Sequence, residues 1–385
     1  RHSLGRPSRS DFVQSEFVEL VNLDFGKYKN VSHYGFNAVC KEEIMKFMQT
    51  EKKQLLIYVI IAYGITYVMG LLMWYSYGKG LDLSAFPNAQ MLYPAAGVMM
   101  AYLITKKGDK NLPTAFYIFF VALTAVLVVC TAASVLAPQN RDLMSMPYSQ
   151  WAPIMEYVII GGSVIFWILL LQSGKEKRRS YGLNSEHWNI SIRMILLFIG
   201  LYLLRFVIAC ALSGQLSEFG KIMANPTTWI IFFTVLVNFF LSVVAFFGEE
   251  YGWRYFLQPL LQKKFGLKGG VILLGCVWAV WHLPIDFFYY TTPDMGMAAL
   301  ASQFVTCISL GIFMAYTYMK TQNIWVPIII HFLNNNMVVV FSGTYSADVL
   351  QNQQIHWGDI PVALVMNLLI FGWVIFLKPF KEKKA

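Results

Sequence analysis

Charge is what this chain has least of. Asp, Glu, Lys and Arg make up 13% of its 385 residues, against roughly 25% in soluble domains, while 57% are hydrophobic and 16% aromatic. That is more apolar surface than one aqueous globule needs, so the composition points to a bilayer. Cysteine is scarce and scattered: Cys40, Cys130, Cys210, Cys276 and Cys307 form no CxxC pair and no metal-ligand spacing, and they read as small apolar residues. No HExxH motif and no internal repeat is present. Residues 1–47 lack a signal-peptide apolar stretch and helical periodicity, and Met48 directly precedes a Lys-flanked apolar run. The expectation is that 1–47 are a non-native or disordered extension, outside the fold.

Apolar stretches near the ~20 residues that cross a bilayer number about ten. They fall near 54–77, 89–105, 112–136, 151–172, 190–213, 227–248, 270–289, 297–319, 323–342 and 359–377. The expected fold is all-α, a polytopic transmembrane bundle. Its parts would be N-terminal membrane helices over 48–213, a core over 227–342, and a final helix with a basic tail over 343–385.

Lys and Arg alternate along the connections. The N-terminal flank (Lys41, Lys46, Lys52, Lys53), the second loop (Lys106, Lys107, Lys110), the fourth (Lys175, Lys177, Arg178, Arg179), the sixth (Lys263, Lys264, Lys268), the eighth (Lys320) and the tail (Lys378, Lys381, Lys383, Lys384) are basic. The odd loops hold one basic residue each, Lys79, Arg141 and Lys221, or none. By the positive-inside rule both termini are expected in the cytoplasm. The formal +9 charge then belongs to loops facing anionic lipid and implies no nucleic-acid partner.

The polar residues that remain inside apolar runs are expensive there and mark candidate sites. Glu249 and Glu250 end the run from Phe239 to Gly248, and Arg254 follows Glu250 by four, the spacing of an ion pair on one helix face. Of six histidines only His282 and His331 fall inside spans. Trp278 lies one turn before His282, where packing is its expected role, and Asn335 lies one turn after His331. Asn334 and Asn336 are expected to face other sides and bond between helices. Arg205 is expected to make a structural pairing, with a lipid head group or a substrate carboxylate as other uses.

With Lys263, Lys268 and Lys320 as rulers, Glu249, His282 and His331 lie roughly 21, 21 and 17 Å deep at about 1.5 Å per residue. Similar depth on three helices predicts one shared cavity, expected to open toward the cytoplasm.

These motifs together resemble the CPBP family, the CAAX-protease and bacteriocin-processing intramembrane endopeptidases also called Abi. Two glutamates, three residues and an arginine match Glu249, Glu250 and Arg254; an aromatic before a histidine matches Trp278 and His282, with Trp in place of Phe; histidine and asparagine four apart match His331 and Asn335. The resemblance covers about 227–342. It implies a glutamate-dependent hydrolase in which Glu249 and His282 activate water, His331 and Asn335 donate to the oxyanion, and Glu250 with Arg254 is a structural ion pair. No cofactor is expected; the alternative is zinc held by Glu249, His282 and His331. The expected substrate is a membrane-associated peptide or protein cut near the cytoplasmic side of a bacterial membrane, with membrane lipids as the other contact. The alternatives are a non-proteolytic membrane scaffold or bacteriocin-immunity protein of the same fold, and a transporter, for which the paired discontinuous spans are lacking.

Overall fold

The structure is a computed structural model that describes residues 46, 48–137, 140–143, 146–149, 151–345 and 347–381. Nearly all of the expected N-terminal extension lies outside the described residues, as do Lys383 and Lys384. The chain divides into a unit of residues 1–56 and a unit of residues 57–385; the architecture below is that of the second.

It is a helical bundle. A π-helical turn, Ile60–Gly64, leads into α1 (Ile65–Tyr77). There follow α2 (Ala85–Gln90), α3 (Tyr93–Thr105), α4 (Thr114–Leu136), α5 (Trp151–Gln172), α6 (Lys175–Ser180), α7 (Trp188–Leu212) and α8 (Leu216–Ala224). A short antiparallel hairpin, β1 (Asn140–Leu143) with β2 (Met146–Ser149), joins α4 to α5. The second half holds α9 (Pro226–Glu250), α10 (Gln258–Trp281), α11 (Gly296–Thr321), α12 (Trp325–Phe341) and α13 (Asp359–Ile370). This is a multi-pass integral membrane protein.

Among the described residues six helical stretches are long and apolar enough to cross a membrane, fewer than the about ten expected from runs of bilayer length. The difference has local causes. The run near 89–105 is broken by a turn at Met91–Leu92. Helices α12 and α13 are 17 and 12 residues long. The stretch Pro226–Trp281 is continuous by hydrogen bonding yet contains a reversal at Gly266, whose φ of 76° an L side chain rarely adopts.

The alternation of basic loops is reproduced in space. The Tyr181 hydroxyl donates to Asp109 Oδ2 at 2.6 Å, joining the fourth loop to the second. Asn323 Nδ2 donates to the Glu186 carbonyl at 2.9 Å, joining the eighth to the fourth. Gln262 Nε2 lies 3.3 Å from Met319 Sδ, joining the sixth to the eighth. At the other end, Thr228 and Tyr345 hydroxyls meet at 2.7 Å, and Gln353 N donates to the Tyr290 carbonyl at 2.7 Å. Even loops therefore share one end of the bundle, and the fifth, seventh and ninth loops share the other.

Helix α9 begins where Pro226 occupies its first turn and the Asn225 side chain accepts from Thr227 N at 3.0 Å. Its far end is buried from Val243 to Glu250. Gly248 and Gly252 let that end approach a neighbouring backbone: a Cβ on Gly248 would lie 2.3 Å from Met91 O, and one on Gly252 2.3 Å from Pro94 Cβ. The glutamates are thus pressed against the turn between α2 and α3.

The N-terminal helices also complete the end of α10. Pro284 has no N–H for the carbonyl of Val280, and the Tyr67 hydroxyl donates to that oxygen at 2.9 Å. Tyr63 does the same for Val277 O at 2.8 Å, and Gln90 Nε2 for Trp281 O at 2.9 Å. The last turn before His282 is held by these donors.

Candidate active site

Glu249 and Glu250 are 2% and 0% exposed and have different partners. Glu249 Oε2 accepts from two indoles, Trp278 Nε1 at 2.8 Å and Trp253 Nε1 at 3.3 Å. Its Oε1 takes no donor from the described residues, so one carboxylate oxygen is anchored and the other is free to handle a proton. Glu250 is committed at both ends: Oε2 accepts from Arg254 Nε at 2.8 Å, and Oε1 meets His331 Nδ1 at 2.9 Å. The expected Glu250–Arg254 pair is present, and the same carboxylate also orients His331. Arg254 is fully buried, stacks 5.0 Å over the Trp278 ring, and leaves Nη1 without a partner.

His282 closes α10, with Nδ1 2.9 Å from the Trp278 carbonyl. A carbonyl only accepts, so Nδ1 carries the hydrogen and a neutral His282 presents Nε2 as the basic atom. The ring is wedged edge-on against Trp281, with centroids 4.9 Å apart.

His282, His331 and Asn335 line one cavity of about 260 Å³, with Trp278, Asn334, Asp286 and Arg205 also in its wall. Glu249 lies behind Trp278 and is not part of that wall, and no hydrogen bond joins it to His282. Of the expected grouping, the cavity takes in His282, His331 and Asn335 but not Glu249, whose carboxylate stands one indole away. Among the described residues no group of three or more His, Cys, Asp or Glu side chains is placed to hold a metal ion.

The cavity extends from Leu310 and Trp278 in mid-bundle to Tyr290, Leu350, Gln353 and Ile355, the end formed by the odd loops. An opening at the basic-loop end was the expectation. The lining positions run the other way because His331, Asn335 and Val338 ascend α12 away from Trp325, which follows the eighth loop.

Three residue readings change. Trp278 does more than pack, since its indole donates to Glu249. Asn334 faces the cavity and donates to Asn335 Oδ1 at 3.1 Å, and Asn336 bonds to Phe332 O in its own helix at 2.9 Å, so neither links helices. Trp253 was missed, although its spacing of four from Glu249 is the signal that identifies it. Arg205 makes the expected structural pairing, donating from Nη1 to Asn367 Oδ1 at 3.2 Å.

Residues 228–337 match the family described as type II CAAX prenyl endopeptidase Rce1-like. A CAAX prenyl protease 2 from Methanococcus maripaludis is 28% identical over 147 residues, covering 37% of this chain and 53% of that protein. The family match falls on the motif region. The chain thus spans about half the length of that curated relative. No solved structure matches. The matched residues run from α9 to α12 and carry every residue of the CPBP motifs, whereas the helices that buttress them lie outside the match.

Proposed function

We propose that this protein is a CPBP-type intramembrane protease, hydrolysing a peptide bond of a membrane-associated peptide or protein. The observation that carries the reading is the convergence of His282, His331 and Asn335 on one cavity, with the half-free carboxylate of Glu249 behind its wall. Water bound between Glu249 Oε1 and His282 Nε2 would lose its proton to these groups as it attacks the carbonyl. Asn335 keeps its amide hydrogens for the oxyanion because its Oδ1 is engaged by Asn334. His331 donates from Nε2 when its ring is doubly protonated, a form that the Glu250 carboxylate on Nδ1 stabilises. Such donors are worth about 2.7–4 kcal/mol each in acyl transfer.

The proposed steps run without a metal. Chelator treatment is expected to leave turnover intact; loss of activity restored by zinc would reverse this. The basic loops are proposed to face the cytoplasm of a bacterial membrane, with both ends of the chain on that side. On this orientation the cavity approaches the opposite face, and cleavage close to the cytoplasmic side gives way to cleavage nearer the far side.

The test is comparative mass spectrometry of membrane-associated peptides from cells carrying wild-type protein or Glu249→Gln at matched expression. Precursors that accumulate with the variant support proteolysis and name substrates. Identical peptides with an unchanged cellular phenotype favour the scaffold or immunity reading.

A further inference from the structure

One acidic side chain in the cavity has no place in the motifs or in the chemistry above. Asp286 follows His282 by one turn, with its amide donating to the His282 carbonyl at 2.9 Å. It opens a π-helical segment, Asp286–Tyr290, an irregularity found disproportionately at functional sites. Its carbonyl accepts from Thr291 Oγ1 at 2.8 Å, so the backbone is fixed. The side chain is different. It is 1% exposed and lines the cavity, and Oδ2 is buried with no hydrogen-bond partner.

No Lys, Arg or His among the described residues pairs with it. Arg205, the cation in the cavity wall, is engaged by Asn367 and held between the Tyr202 and Phe371 rings at 5.0 and 5.7 Å. A carboxyl without a partner in an apolar interior is costly, so the site is incomplete until something donates to it. The neighbouring wall adds acceptors. Gln303 directs Nε2 to Cys307 Sγ at 3.5 Å and keeps Oε1 free, and the Tyr290 hydroxyl adds a further oxygen. Several acceptors around one acid suit a group with several donors and a positive charge, which among peptide side chains means the lysine ammonium or the arginine guanidinium.

We propose that Asp286 is a subsite for a cationic side chain of the peptide bound in the cavity, making it a specificity residue. This rests on the reading of the cavity as a peptide site. The position beside His282 places the cation close to the bond that is cut.

The test measures binding, so it does not depend on cleavage. The protein with Glu249→Gln is reconstituted in lipid nanodiscs and titrated with two fluorescent peptides, identical except for a lysine in one and acetyl-lysine in the other. The lysine peptide is expected to bind at least about tenfold tighter. Adding Asp286→Asn should abolish that ratio and leave the acetyl-lysine peptide's Kd and the melting temperature unchanged. Gln303→Lys, which supplies a cation in the same cavity wall as Asp286, should abolish it independently and serves if the Asp286 variant fails to fold. Equal affinities with Asp286 present, a ratio that survives both variants, or equal weakening of both peptides would overturn the subsite. So would displacement of the lysine peptide by millimolar sodium but not by a bulky organic cation, which would make the site one for an inorganic ion. Absence of binding by either peptide would remove the peptide reading itself.

Discussion

Trp278 and Glu249 stand on different helices and meet through one hydrogen bond, indole Nε1 to carboxylate Oε2 at 2.8 Å. The residue therefore links Glu249, the proposed general base, to the cavity wall. Trp278→Phe keeps an aromatic ring there and deletes the donor. A hydrogen bond to a charged group is worth about 1.5–3 kcal/mol, so peptide hydrolysis should fall roughly 10- to 150-fold at about 1.4 kcal/mol per decade. Steady-state kinetics beside a melting curve checks this: packing alone would leave the rate near wild type.

Glu249→Gln nearly preserves shape and removes the proposed base. Turnover is expected to fall at least about 10²–10⁴-fold, the usual contribution of general acid–base catalysis, while detergent-solubilised protein stays monodisperse. Retained hydrolysis would show that another group activates the water.

Glu250, Arg254 and His331 form a buried hydrogen-bonded triad around one ion pair, and breaking one partner of that pair should cost more than replacing both together. Glu250→Leu or Arg254→Met alone should each destabilise by about 3–5 kcal/mol. The double variant should recover part of that loss, as seen by denaturant unfolding. Additive losses would mean that the two side chains are not coupled.

Gly248→Ala should press a methyl group into the backbone of Met91, and overpacking of this kind costs about 1–3 kcal/mol. The melting temperature should drop, with catalytic loss following displacement of Glu249. Gly64→Ala, whose Cβ meets nothing within 4 Å, is the control and should melt as the wild type does.

Access can be read by chemistry. In a background without native cysteines, Gln353→Cys should react with a membrane-impermeant maleimide on intact cells, and Lys264→Cys only after permeabilisation. The reverse pattern would put the cavity mouth in the cytoplasm.

The sequence made the membrane class, the loop alternation and the motif residues legible, because each depends on spacing along a helix or on local composition. Glu250 with Arg254 is of this kind, four residues apart on one face. What stayed hidden depends on how helices meet. Nothing in the spacing of Trp278 reveals that its indole reaches Glu249 across 29 positions, or that Glu250 rather than Glu249 holds His331 across 81. Fewer helices reach bilayer length than the apolar runs suggested, since hydropathy does not register the turn at Met91–Leu92 or the short lengths of α12 and α13.

Tyr63, Tyr67 and Gln90 donate to the carbonyls of Val277, Val280 and Trp281, and all three lie outside the matched stretch 228–337. The reactive half is therefore not portable. Transplanting α9–α12 onto another set of leading helices would carry the motifs intact and still strip those carbonyls of their side-chain donors, so a chimera would need the three donors, and a backbone turn seated against Gly248 and Gly252, before His282 could take up its position.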